Sequence, residues 1–467
     1  MRIKFGTSGW RGVMGEGFTF HNVRVVVQAV ANYLLREDPS EPVSVIVGYD
    51  TRFLSERYAF EAAKVLARNR IKVFVSDRDA PSQALAYQII KRGCQAGINF
   101  TASFNPPRYN GLKLNVEAGS PALPEVTDAV EDEVRRIMPT FSHVPGYFSR
   151  DQIPRINVQT DYLNFVRDKI DFKIIKEARL RIAADLLYGT SREYLDEILE
   201  ENEIDVEEIH GYVDPYFGGV VPSCSEENLS ELKTLVTSRH CHLGIATDAD
   251  GDRFGIIDEK GNFVHPNFIL AMLLDYLVRF KGRRGGVARS IATTHLIDRI
   301  CRKFDLPVHK TKVGFKYMAE LLLGGEIFFG GEESACIALE NHIPEKDGIM
   351  AGILVAEMLA VTGLSLSELR KRLFAEYGPM VCGQLNVPQT PERVKKLKAL
   401  IANPPARFAN RPVYEVETIE GLKLDFKEDD WILLRQSGTE PLIRCYAEAS
   451  NRKDLKILLE KGLEAIE

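Results

Sequence analysis

The chain has 467 residues, 45% of them hydrophobic and 27% charged, the composition of a globular protein with ample core. Its net charge of −6 argues against nucleic acid or an anionic membrane surface as partner, so an anionic substrate would need local clusters of arginine and lysine. No apolar run reaches membrane-spanning length, the N-terminus shows no signal-peptide pattern, and seven scattered cysteines without a C-x-x-C pair fit a reduced, cytoplasmic protein.

Residues 5–12, FGTSGWRG, read as a glycine-rich turn presenting Thr7, Ser8 and Arg11, either a surface turn or an anion-facing loop. A helical pattern spans 23–35, and the β-branched run at 43–48 predicts a buried parallel strand. That strand ends at Tyr49-Asp50-Thr51-Arg52; a helix to about Arg68 and a strand at 71–76 complete a βαβ unit. Residues 96–100 read as another buried strand. The following Asn105-Pro106-Pro107 can continue neither a helix nor a central strand, which leaves Ser103 at a strand-to-loop exit. Serine at such a turn commonly bonds its own backbone; the other reading is a nucleophile.

The βαβ pattern recurs. Residues 180–184 lead through Gly189-Thr190-Ser191 into a helix at 192–201, and 286–292 lead through Thr293-Thr294 into a helix at 296–304 and then Val308. Three units roughly 110–140 residues apart predict three related α/β domains. The remainder differs: strands at 381–387, 413–417, 431–434 and 442–448, and helices at 391–402 and from about Lys453, make an α+β domain. The expected domains are 1–152, 153–257, 258–376 and 377–467.

Asp248, Asp250 and Asp252 follow an apolar strand at alternate positions, with Gly251 allowing a tight bend, so three carboxylates can converge on one hard cation. A turn of solvated aspartates would leave their mutual repulsion unanswered. An EF-hand is excluded because Arg253 stands where the sharp turn needs glycine. Gly330-Gly331-Glu332-Glu333-Ser334 suits recognition of vicinal sugar hydroxyls, and equally a tight turn with exposed glutamates. In Arg435-Gln436-Ser437-Gly438-Thr439-Glu440-Pro441, with Arg444 beyond, backbone N–H groups around glycine can form an anion nest; a hairpin turn would not call for the two arginines. His240, His242, His295 and His309 read as structural.

TSGWRG, TASFNPP with YNGLK, DADGDR, GGEES and RQSGTEP, in that order, resemble the α-D-phosphohexomutase family of phosphoglucomutases and phosphomannomutases, over essentially the whole chain. The resemblance implies α/β architecture, with three related α/β domains and a C-terminal α+β domain around a central active-site cleft. It makes Ser103 the phosphoserine of the resting enzyme. Asp248, Asp250 and Asp252 would hold one Mg²⁺ per chain, with a phosphoserine oxygen of Ser103 completing the set. Glu332 and Ser334 would contact sugar hydroxyls, while Arg435, Ser437, Gly438, Thr439 and Arg444 would bind the non-transferring phosphate. Arg11, Lys113 and Arg253 would line the reacting centre. The implied reaction converts hexose 1-phosphate to hexose 6-phosphate, with hexose 1,6-bisphosphate as intermediate and activator. The implied partner is a phosphorylated hexose, with no nucleic acid or membrane, and the implied enzyme is a cytoplasmic monomer or homodimer. Phe104, Phe315 and Cys336 depart from histidines seen in some relatives, which leaves Lys113 as the candidate for proton transfer. The Glu-Glu-Ser loop favours glucose over mannose, dual specificity or glucosamine. A serine-dependent phosphatase and a non-catalytic sugar-phosphate sensor are the remaining alternatives.

Overall fold

Ser44–Tyr49, the β-branched run, lies inside a seven-stranded sheet, with Lys72–Ser76 and Ala96–Phe100 parallel on its two sides. Its side chains alternate between faces as a strand requires: Val45 and Val47 join the core holding Val23–Val30 and Tyr58–Leu66, while Ile46 joins Ala84, Leu85 and Ile89 on the other face. One connection from this strand runs to one neighbour and the next returns across it, so the carboxyl ends of Ser44–Tyr49 and Ala96–Phe100 flank a topological switch point. Crevices open at such points. Tyr109–Val116 then pairs antiparallel with Ala96–Phe100, and Gly9–Val13 with Tyr109–Val116. Arg11 therefore sits on a strand, opposite Gly111, and not in the turn. The computed structural model describes residues 3–6, 8–37, 42–142, 152–438 and 441–467; Thr7, Thr439 and Glu440 lie outside them.

Two smaller α/β sheets follow. In the second, Arg181–Asp185 runs parallel to Leu243–Thr247 and Asp205–Ile209, and Phe254–Ile257 returns antiparallel. The aspartate triplet forms the turn between Leu243–Thr247 and Phe254–Ile257. In the third, Gly286–Ser290 lies between Val308–Thr311 and Ile327–Glu332, and Cys336–Leu339 closes the edge. The last sheet is antiparallel throughout, with five strands including Val381–Pro388, Trp431–Gln436 and Leu442–Ala449. The architecture is thus three α/β domains and an α+β domain around a central cleft. The first sheet takes in Arg155–Ile156 and the second Phe263–Val264, so each runs past the join expected at 152 or 257.

One short loop ties the first three domains together. Before the helix Gly348–Thr362, Glu345 accepts from Asn115 Nδ2 at 2.7 Å, Lys346 meets Asp252 at 3.1 Å, and Asp347 accepts from Tyr162 at 2.8 Å and Gln83 at 3.2 Å. Asp347 also caps the helix on Met350 N. Gly348 N–H donates to Gly251 O at 3.0 Å, and a Cβ on Gly348 would lie 2.2 Å from Arg253 O, so only glycine fits. A single apolar cluster runs through these three domains, whereas the fourth keeps its own core and meets the third through Ile291, Ala292, Trp431, Leu433 and Tyr446. Among the described residues no single helix is long and apolar enough to cross a membrane; Gly348–Thr362, nearly apolar all round, is buried as a core helix.

Candidate active site

The 101–109 loop leaves the fully buried strand Ala96–Phe100 at the switch point. Ser103 is 1% exposed and adopts a left-handed backbone, φ 49°, with its N–H bonded to Thr101 Oγ1 at 2.9 Å. Its hydroxyl does not turn back on its own backbone; it donates to Asp248 Oδ2 at 2.6 Å. Arg11 reaches Asn105 Oδ1 at 2.5 Å, and the guanidinium groups of Arg11 and Arg253 lie over the Phe104 ring at 5.5 and 5.8 Å.

Asp248, Asp250 and Asp252 are all buried, with ligand oxygens within 4.8 Å of one another. At that distance like charges repel by about 3–4 kcal/mol per pair for an effective dielectric near 20. Cations answer part of this. Lys113 Nζ lies 2.5 Å from both Asp250 Oδ2 and Asp252 Oδ2, Lys346 Nζ is 3.1 Å from Asp252 Oδ2, and Arg253 Nε is 3.1 Å from Asp252 Oδ1. Asp250 also takes Ser82 Oγ at 2.7 Å and Ser82 N–H on its carbonyl, at the N-terminus of the helix Ser82–Arg92. The electrostatics split the triad. Burial, then Asp250 and Asp252, push the Asp248 carboxyl well above its usual range; Asp252 is held low because Lys113, Lys346 and Arg253 outweigh burial. Lys113 stays above its ordinary value, since Asp250 and Asp252 outweigh the cost of its burial. Asp250 Oδ1 is buried without a hydrogen-bond partner. That orphaned oxygen in an all-carboxylate donor set fits a hard divalent cation such as Mg²⁺.

Glu332 ends the strand Ile327–Glu332, 2% exposed, with Oε1 accepting from Gly314 N–H at 2.6 Å and Oε2 from Cys336 Sγ at 3.4 Å. Glu333 turns the other way, onto Ser290 Oγ at 3.0 Å. The Ser334 carbonyl accepts from Arg253, which thereby joins the metal loop to this turn. At Gly331 packing alone already calls for glycine, because a Cβ there would lie 2.4 Å from Leu270. Arg435 and Arg444 face each other in register across Trp431–Gln436 and Leu442–Ala449, just before and after a turn carrying Ser437 and exposed Gly438. Arg435 pairs with Glu420 at 2.7 Å, and Glu420 accepts Val313 N–H at 2.6 Å, next to the Gly314 that holds Glu332. Thr439, expected in the same nest, lies outside the described residues.

Sequence reasoning passed over four participants. Arg52 grips the Ser103 loop, Ser82 bonds Asp250, and Glu345 and Lys346 arrive from the third domain. The Asp-Thr-Arg after a buried strand was a visible signal; nothing near Lys346 pointed to Asp252. Lys346 Nζ lies 5.4 Å from the Phe315 ring centre. His295 is buried, bonded through Nε2 to Lys423 at 2.9 Å, and exposed His242 accepts Arg181 N–H, so neither joins the cleft.

Family models of the phosphoglucomutase/phosphomannomutase alpha/beta/alpha domains I, II and III match residues 2–140, 160–261 and 265–377, and the C-terminal domain model matches 385–463. A phosphoglucomutase/phosphomannomutase of Thermococcus kodakarensis is 29% identical, covering 99% of this chain and 98% of its own. A phosphoglucosamine mutase of Clostridium perfringens is 27% identical over 99% of this chain and 98% of its own. The solved structure of a protein from Thermus thermophilus superposes with TM-score 0.87 at 29% identity, covering 99% of each chain.

Proposed function

The chain belongs to the phosphoglucomutase/phosphomannomutase family and is a phosphohexomutase, and from that premise we propose that glucose is its preferred sugar and Ser103 carries the transferred phosphoryl group. The observation carrying the role of Ser103 is its hydrogen bond to Asp248, which sets one hydroxyl against a buried carboxylate triad; the sugar preference rests on the Glu332-Glu333-Ser334 sequence of the third-domain turn.

Phosphoserine at position 103 would pass its phosphoryl group to a sugar hydroxyl. The P–Oγ bond breaks as the P–O bond to sugar forms; Lys113 gives a proton to the serine oxygen and takes the one leaving the sugar. The resulting hexose 1,6-bisphosphate turns over and returns its other phosphoryl group to Ser103 by the same exchange. A phosphoserine adds a charge of about −1.5 to −2, so the cationic ring of Arg11, Lys113, Arg253 and Lys346 is what lets the group sit among three aspartates. Mg²⁺ bound by Asp248, Asp250, Asp252 and a phosphoserine oxygen would neutralise charge on the transferring group. Arg435, Ser437, Gly438, Thr439 and Arg444 hold the non-transferring phosphate, and Glu332 and Ser334 read the hydroxyls at C3 and C4.

Glucose and mannose share those two hydroxyls and differ at C2, so the reading predicts preference with tolerance. In protein shown to carry phosphate on Ser103, kcat/KM is highest for glucose 1-phosphate, with mannose 1-phosphate turned over at roughly one-tenth to one-hundredth of that efficiency. Glucosamine 1-phosphate, the third substrate, falls below both. Mannose or glucosamine ahead of glucose would overturn the sugar assignment alone. Failure with all three, in protein that carries the phosphate, would overturn the mutase reading and with it transfer from Ser103.

A further inference from the structure

Arg52 follows the central strand of the first domain and its side chain is fully buried. A guanidinium has five N–H donors, and all five are engaged. Nε donates to Asp50 Oδ2 at 3.1 Å; one terminal nitrogen donates to the carbonyls of Pro106 and Tyr109 at 2.9 and 3.2 Å, the other to those of Asn105 at 2.6 Å and Ser103. Asp50 is itself fixed by Arg52 N–H at 2.9 Å and Ser55 Oγ at 2.7 Å. From the second domain, the buried Phe217 ring lies 4.9 Å from the guanidinium carbon. The carbonyls so held span the turn in which Ser103 keeps its left-handed φ of 49°, a conformation serine does not choose unaided.

We propose that Arg52 is a positioning residue for phosphoryl transfer: by holding four carbonyls of the 103–109 loop it fixes the Ser103 oxygen against Asp248. It does not touch substrate, because no N–H remains to meet a phosphate. Lysine cannot replace it, since a single ammonium with three donors cannot span four carbonyls and a carboxylate. The inference rests on Ser103 being the phosphoryl carrier.

The test uses full-length Arg52→Lys, Arg52→Met and Arg52→Ala, with Phe217→Leu as a variant that keeps the guanidinium but removes its backing. For each, the melting temperature, kcat and KM for glucose 1-phosphate, and the single-turnover transfer from phosphorylated Ser103 are measured. In folded Arg52→Lys, kcat and the single-turnover rate fall by about 100-fold while KM changes by no more than about twofold. Phe217→Leu shows a smaller loss of the same kind. Added guanidinium ion restores part of the activity of Arg52→Ala, and ammonium does not. A role in stability alone would lower the melting temperature and leave kcat per folded molecule unchanged. The inference is overturned if folded Arg52→Lys keeps kcat within about threefold, if the loss lies in KM alone, or if Arg52 variants do not fold and Phe217→Leu is normal. Ser103→Ala, run alongside, separates the two ideas. Activity there sinks the phosphoserine reading, whereas an inactive Ser103→Ala beside a normal Arg52→Lys sinks only the role of Arg52.

Discussion

Ser103 Oγ and Asp248 Oδ2 are 2.6 Å apart although 145 residues separate them in sequence, so the first and second domains share one hydrogen bond at the candidate nucleophile. Removing that hydroxyl removes the phosphoryl acceptor. Ser103→Ala is expected to lose turnover by at least about a thousandfold while stability changes by only about 1 kcal/mol. Mass spectrometry of active wild-type protein should place a phosphate on Ser103 and none on Ser103→Ala.

The orphaned Asp250 Oδ1 and the convergence of three buried carboxylates predict dependence on a divalent cation. Chelator abolishes turnover and Mg²⁺ restores it. Asparagine at 248, 250 or 252 keeps the shape and removes one charge, so the Mg²⁺ concentration for half-activation rises by about tenfold or more. Undiminished activity of metal-stripped wild type would contradict this.

Lys113 is pinned by two aspartates yet lies beside the reacting centre. Lys113→Arg preserves the charge that offsets the triad but cannot exchange a proton near neutral pH. A fall in kcat of about 100-fold with little change in KM supports proton transfer by this amine. Wild-type turnover would reduce it to an electrostatic part.

Between the third and fourth domains, Lys423 is completely buried, donating to His295 and lying 4.7 Å from the Trp431 ring centre. Burial, then Arg289, push its amine down to about 8, against the pull of Asp425 and Glu417. A lysine lowered on folding costs no stability above its unfolded value, and stability is lost as pH falls from there through about 8; the loss is worth roughly 3 kcal/mol at 1.36 kcal/mol per unit. The chain has two tryptophans, so in a Trp10→Phe background the fluorescence of Trp431 should titrate with a midpoint near 8. Lys423→Met should flatten that curve, and a titration unchanged by the substitution would assign the transition to another group.

Local pattern carried much of the fold. A β-branched run announced Ser44–Tyr49, and the helices Leu296–Phe304 and Pro391–Ala402 fall where their amphipathic pattern put them. The Asp triplet and the serine turn were legible because each packs its chemistry into a few consecutive residues. Arg52 showed only as the end of an Asp-Thr-Arg turn and Lys346 not at all, since the groups they hold lie mostly on other elements or other domains, and a lone basic residue carries no period that points inward. Lys423 was not legible either: the sequence marked no strand at Leu422–Asp425, where the structure buries this lysine completely. Gly331 shows a constraint that no local pattern announces: a side chain there would collide with Leu270.

The Glu345-Lys346-Asp347-Gly348 loop also imposes an order on the birth of the site. Asn115 meets Glu345 only after a further 230 residues have been made, and Asp252 likewise waits for Lys346. At synthesis rates of roughly 5–20 residues per second, the nascent first domain spends tens of seconds without that partner. For the same reason the aspartate triad first forms with one counter-charge too few. A divalent cation bound at that stage would stabilise the folded loop by mass action, before it took part in any chemistry.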